Sequence, residues 1–142
     1  MKQRINTYQN AGNAIAKLVG LNEALTASFD LKLRHIIDIR VSVMNECHFC
    51  IDMHTKEALE GGDSEERVAA LRHWQGSPLF DAREKAALAW AEALTRTASQ
   101  EEIDALYNDL GAHFDQKEIS LLTVTIAHIN AWNRIGIASY KH

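Results

Sequence analysis

Leu31–Met44 reads "LKLRHIIDIRVSVM", with apolar side chains at Leu31, Leu33, Ile36, Ile37, Ile39, Val41, Val43 and Met44. A 3.6-residue repeat spreads these over nearly every side of a helix, and a helix that is apolar all round belongs inside a bundle or against another subunit. The segment "ISLLTVTIAHINAW", from Ile119 to Trp132, has the same character. Sustained alternation of apolar and polar residues bounded by Asn-Gly or Asp-Gly is missing, so strands are not expected. The chain should be all-α.

Four helix starts are marked by Asp or Ser with Glu three residues later: Asp63 with Glu66, Asp81 with Glu84, Ser99 with Glu102, and Asp115 with Glu118. Such pairs satisfy the orphan amides of a first turn. The periodicity predicts helices over about 8–27, 31–44, 47–60, 64–74, 82–97, 100–112 and 116–138, with breaks at Gly61-Gly62, at Gln75-Gly76-Ser77-Pro78 and around Phe114. The expected architecture is a single-domain helical bundle of about six to seven helices over residues 1–142.

A chain of this length can bury roughly two thirds of the surface it exposes when unfolded, so it needs no covalent staples to fold. With 15 basic and 19 acidic side chains the formal charge is −4, and no positive field is available for a nucleic acid. The N-terminal run "AGNAIAKLVGL" is interrupted by Asn13 and Lys17, and no stretch approaches the roughly 20 apolar residues of a membrane span. The expected location is cytoplasmic, where a permanent structural disulfide is out of place.

That expectation gives weight to "CHFCIDMH", residues 47–54, which holds both cysteines of the chain. On a helix, Cys47 and Cys50 lie about 60° apart around the axis, and Cys50 and His54 about 40°, so all three share one face. Cysteines one turn apart can be oxidised to each other with little backbone movement. Cys47 would meet the positive end of the helix dipole, and His54 is placed to hydrogen-bond or deprotonate Cys50. An activated thiolate with a second thiol beside it suits peroxide reduction through a sulfenic acid and then a disulfide. Two cysteines and one histidine also match a zinc site with an open position, and a buried core pair is a third possibility. The redox assignment is preferred to both.

The run from Arg40 to Leu94, above all "CxxCIDMHTKEA", together with "INAWNR" near the C-terminus, resembles the alkylhydroperoxidase D-like branch of the carboxymuconolactone decarboxylase family. The resemblance implies an all-helical homo-oligomer, a trimer or hexamer, that reduces small hydroperoxides through its cysteine pair. It implies no metal or organic cofactor, and a thioredoxin-like or lipoylated partner that re-reduces the disulfide. Carried over by position, Cys50 attacks the peroxide, Cys47 resolves the product, and His54 belongs to the proton relay. The closer imidazole at Cys50 agrees with that assignment.

This sequence departs from the family pattern at two places. The relay glutamate expected twelve residues before the first cysteine is replaced by His35, and an imidazolium there would lower the pKa of the thiol where a carboxylate would raise it. Twelve residues of straight helix span about 18 Å, so the chain must turn near Asn45-Glu46 for His35 to reach the thiols. The relay also usually has a histidine immediately before the second cysteine, where this chain has Phe49; His48 is expected to pair with Asp52 on the helix surface. His128 is expected as a satisfied core group, Asn130, Trp132, Asn133 and Arg134 as a subunit contact or a network behind the catalytic helix, and Lys56, Glu57 and Glu60 as a solvated face. Two other functions compete with a peroxidase: a non-redox, lactone-decarboxylase-like enzyme on the same fold, or a redox-sensing oligomeric module.

Overall fold

The computed structural model describes residues 1–141. In chain order the elements are β1 (Lys2–Gln3), α1 (Thr7–Asn10), α2 (Gly12–Ser28), α3 (Leu31–Met44), α4 (His48–Glu60), α5 (Glu65–Ala70), a 3-10 turn (Leu71–Gly76), α6 (Ala82–Thr95), α7 (Gln100–Leu110), α8 (Gln116–Ser139) and β2 (Tyr140–Lys141). The all-α class predicted from periodicity is the one observed.

Asp30 starts α3 by accepting hydrogen bonds from the amides of Lys32 and Leu33. The helix then buries Leu33, Ile36, Ile37, Ile39 and Val41 against α4, α6, α8 and the 3-10 turn. Each Leu or Ile so enclosed stabilises the fold by about 1.5–3 kcal/mol relative to exposure. The long α8 supplies Leu122, Ile126 and Ile129 to the same core, and α6 supplies Leu88 and Ala91. Polar ties complete the packing: Glu92 Oε1 on α6 accepts from Arg40 Nε on α3 and from Trp74 Nε1 in the 3-10 turn, each at 2.8 Å.

Capping boxes form at Asp81 with Glu84 and at Asp115 with Glu118, and the Ser99 hydroxyl accepts from the Glu102 amide. The start near residue 63 differs from its prediction. Ser64, not Asp63, caps α5 by accepting from the Arg67 amide, and Asp63 instead holds the Arg67 side chain at 2.9 Å. The helix predicted over 8–27 is split at Ala11 (φ −128°, ψ 38°), and the one predicted over 64–74 tightens into a 3-10 turn from Leu71, with His73 outside helical geometry. A pair of two-residue strands, β1 antiparallel to β2, joins the chain ends with Lys2 opposite Lys141 and Gln3 opposite Tyr140. So short a pairing leaves no periodicity for a sequence to display. Among the described residues, no helix is long and apolar enough to cross a membrane.

Candidate active site

The chain turns between α3 and α4 at the expected place, Asn45-Glu46. Glu46 takes the left-handed conformation (φ 54°), and the Cys47 amide donates back to the Ser42 carbonyl at 3.1 Å. Cys47 becomes the N-cap of α4, at the positive end of its dipole, and Cys50 follows one turn later. Their sulfurs are bonded to each other, with the Cα atoms 5.2 Å apart, and both residues are buried. From α8, Gly136 closes over the pair: a methyl group there would lie 3.1 Å from Cys47 Sγ and 3.3 Å from Cys50 Sγ.

A polar network fixes α8 behind this turn. Asn45, the C-cap of α3, donates through Nδ2 to Asn130 Oδ1 and Asn133 Oδ1, both at 2.9 Å. Asn133 Nδ2 donates in turn to the buried Ser42 hydroxyl, also at 2.9 Å. Of the two roles expected for the "NAWNR" residues, Asn130 and Asn133 take the network.

His54 is buried on α4 and faces two carboxylates. Its Nδ1 lies 3.0 Å from Glu57 Oε2 and 3.7 Å from Asp38 Oδ2, while Nε2, among the described residues, has no hydrogen-bond partner. Burial pulls the imidazole pKa down, but the hydrogen bond to Glu57 and the charge of Asp38 outweigh it and leave the value raised. The same hydrogen bond holds Glu57 below the usual carboxylate range. Asp38 is pushed up to about 6 by its burial, against the pull of His54 and of Arg34, whose Nε is 3.4 Å away.

His35 packs elsewhere along the same helix. Its ring lies beside Gly61, where an added methyl would come within 3.0 Å of Cε1, and burial lowers its pKa. It does not line the cavity beside the disulfide, and the α3 side chain within ion-pair distance of His54 is Asp38, one turn on. His48 begins α4 with its side chain exposed.

That cavity, about 270 Å³, is bounded by Cys50, Met53, His54 and Glu57 from α4, by Trp132, Ile135 and Gly136 from α8, and by Tyr8, Val19 and Asn22 from the N-terminal helices. Aromatic contacts shape its walls. Tyr8 stacks on Trp132 with centroids 6.3 Å apart, and Phe49 meets Tyr140 at 5.5 Å. His128 is buried as expected, yet it too lines this cavity, and its Nε2 accepts the Trp132 indole hydrogen at 2.8 Å. Burial, together with the charges of Arg34 and His54, lowers its pKa to about 4, so it is neutral at pH 7. Among the described residues, no three His, Cys, Asp or Glu side chains gather as a metal ion would require.

Residues 13–93 match the model of the carboxymuconolactone decarboxylase family. The chain belongs to this family. Across 139 residues it is 37% identical to YdfG of Bacillus subtilis, covering 97% of this chain and 95% of that protein. A crystal structure from Agrobacterium tumefaciens, of a candidate antioxidant defence protein AhpD, superposes with a TM-score of 0.93 at 34% identity, covering 99% of this chain and 97% of that one. A peroxidase-related protein from Silicibacter shares the fold, with a TM-score of 0.74 at 19% identity over 87% of this chain and 66% of its own.

Within this carboxymuconolactone decarboxylase fold, Asp38 and Glu57 join His54 without having been expected at the site. The sequence predicts Glu57 on a solvated face with Lys56 and Glu60; those two do pair on the surface at 3.9 Å, but Glu57 lies three residues from His54 and turns to it. Asp38 carried a usable signal: in a helix apolar on nearly every side, a carboxylate has no watery side to occupy and must meet a partner indoors. Gly136 offered no sequence signal, because its role depends on which helix crosses the disulfide.

Proposed function

We propose that this protein is a cysteine-based peroxidase that reduces small organic hydroperoxides and is returned to the dithiol by an external dithiol reductant. The observation that carries this reading is the disulfide itself, closed between Cys47 and Cys50 at the wall of an apolar cavity that also holds a buried histidine with a raised pKa. The Agrobacterium protein's description as a candidate antioxidant defence protein supports the same direction.

The Cys50 thiolate attacks the terminal peroxide oxygen; the O–O bond breaks, the alkoxide leaves as an alcohol after taking a proton, and Cys50 is left as a sulfenic acid. His54, protonated at the moment of attack, is the donor suited to that proton, a contribution of about 10²–10⁴ in rate. The Cys47 thiol then attacks the sulfenic sulfur, water is expelled, and the disulfide forms. A thioredoxin-like or lipoylated partner supplies two electrons and two protons to reopen it. Assembly into a trimer or hexamer belongs to the same proposal and is read by sedimentation.

Stopped-flow reduction of cumene hydroperoxide with a dithiol reductant tests the assignment. Cys50→Ser should abolish turnover and the first oxidation alike. Cys47→Ser should still consume one equivalent of peroxide, gaining the mass of one oxygen, but should form no intramolecular disulfide. Full activity in both variants, or activity that survives alkylation of both thiols, would overturn it in favour of a non-redox reaction.

A further inference from the structure

Asp38 is an unexplained expense of this fold. Its carboxylate is 2% exposed, and among the described residues Oδ1 meets no donor; burying a charge costs several kcal/mol unless partners compensate it. Its other oxygen, Oδ2, stands between two cationic groups, Arg34 Nε at 3.4 Å and His54 Nδ1 at 3.7 Å. Asp38 and His54 come from different helices, α3 and α4, so the contact is made by tertiary packing and serves neither helix locally.

We propose that Asp38 is a positioning residue for His54: it is the buried counter-charge that holds a proton on the imidazole and keeps the ring turned with Nε2 away from both carboxylates. Arg34 keeps the carboxylate ionised indoors and is itself anchored to α2 through Asn22 and through Thr26 at 2.9 Å. Among the described residues, the charged and titratable neighbours come from three helices. From α3 come Arg34, His35 and Asp38; from α4 comes Glu57; from α8 comes His128. Among the described residues Arg34 opposes a positive charge on His54 and Asp38 and Glu57 favour it, while the His54 charge itself disfavours protonation of His35 and His128.

The two carboxylates differ in kind. Glu57 has its side chain 48% exposed and makes the shorter contact, so its field is open to solvent and to salt. Asp38 is sealed, and its charge acts through protein with little screening. Glu57 can exchange a proton with water, while Asp38 sets the charge that the ring retains. The functional consequence, a stabilised thiolate at Cys50, rests on the peroxidase reading; the effect on His54 does not.

The test therefore begins with the ring. In a ¹⁵N NMR titration of the reduced protein, Asp38→Asn should lower the His54 pKa by about one to three units, and the shift should persist at high salt. Glu57→Gln should also lower it, but by an amount that shrinks as salt is added. The rate of Cys50 alkylation by iodoacetamide against pH should move in parallel, and Asp38→Glu should recover part of the wild-type profile. An unchanged His54 titration in folded Asp38→Asn would overturn the proposal, whatever the peroxidase activity, because a carboxylate serving only Arg34 would leave the ring alone. Should Asp38→Asn not fold, Glu57→Gln, which keeps Asp38, decides. Coupled groups titrate in two steps, so with the Glu57 carboxylate removed by Glu57→Gln a single unperturbed His54 step would equally overturn it, and two steps would sustain it. Wild-type turnover of peroxide in Asp38→Asn with the His54 shift present would instead count against the peroxidase reading.

Discussion

Gly136 pays a helical penalty that only its neighbours explain. Inside α8 a glycine is less favourable than alanine by about 1 kcal/mol, yet any Cβ there would approach both sulfurs within 3.1 and 3.3 Å. Gly136→Ala should therefore destabilise the oxidised protein by about 1–2 kcal/mol in spite of the helical gain, since overpacking near a fixed disulfide has no flexible partner to yield. It should also slow peroxide-driven oxidation of the thiols. Urea unfolding of the oxidised variant and a stopped-flow oxidation trace check both effects; a variant that is more stable and equally fast would contradict the close approach. The histidines show how far residue identity alone could be read. His54 was legible from its four-residue spacing to Cys50, whereas His35 and Asp38 sit one turn apart on the same helix, and sequence position favoured the one that packs on Gly61.

At the scale of elements, the site depends on how the end of α3 is locked to α8. Asn133 is fully buried and both accepts from Asn45 and donates to Ser42, the residue whose carbonyl receives the Cys47 amide. Asn133→Ala should cost about 1–3 kcal/mol by stranding the Ser42 hydroxyl and the Asn45 amide. Its local signature should be faster hydrogen exchange at the Cys47 amide than at core amides of α6, measured by NMR. Caps behave more simply. Removing the Asp115 side chain should cost about 1 kcal/mol without altering the thiols, because its hydrogen bond to the Glu118 amide lies at the far end of α8. The caps at Asp81, Ser99 and Asp115 were readable three residues at a time; the division at Ala11 and the tightening at Leu71 were not, because apolar spacing continues across both.

Across the whole molecule, two buried groups pull the acid response in opposite directions. His128, held near 4 against an ordinary 6.5, contributes stability that is present above 6.5 and lost as pH falls. Asp38, raised from 3.8 to about 6, contributes stability that is present below 3.8 and lost as pH rises through 6. Between pH 4 and 6.5 these slopes offset each other. His128→Gln should tilt the stability profile toward acid and Asp38→Asn toward neutral pH, each by on the order of 1–2 kcal/mol over the window, as read by urea unfolding at several pH values. The chain ends form the other long-range device. The Thr7 and Ser139 hydroxyls share a hydrogen bond at 2.7 Å, and Tyr8 covers Trp132, so residues 1–10 bring Tyr8 into the cavity lining from outside the main core. A variant lacking them should lose no helix beyond α1 but red-shift tryptophan fluorescence and raise KM for cumene hydroperoxide by about three- to tenfold.

The amino-acid sequence by itself determined what depends on neighbours three and four residues away: the helices, most of their caps, the two thiols able to close on each other, and His54 on their face. Those relations follow from helix geometry and hold wherever the helix is put. Tertiary structure alone decided which side chain of α3 meets His54, which residue of α8 presses on the disulfide, and that the N-terminus closes a cavity over Cys50. Each of these depends on the rotation of one helix about its axis relative to another, which is set by the packing of apolar side chains across the whole core; a turn of a single residue, about 100°, would have presented a different group.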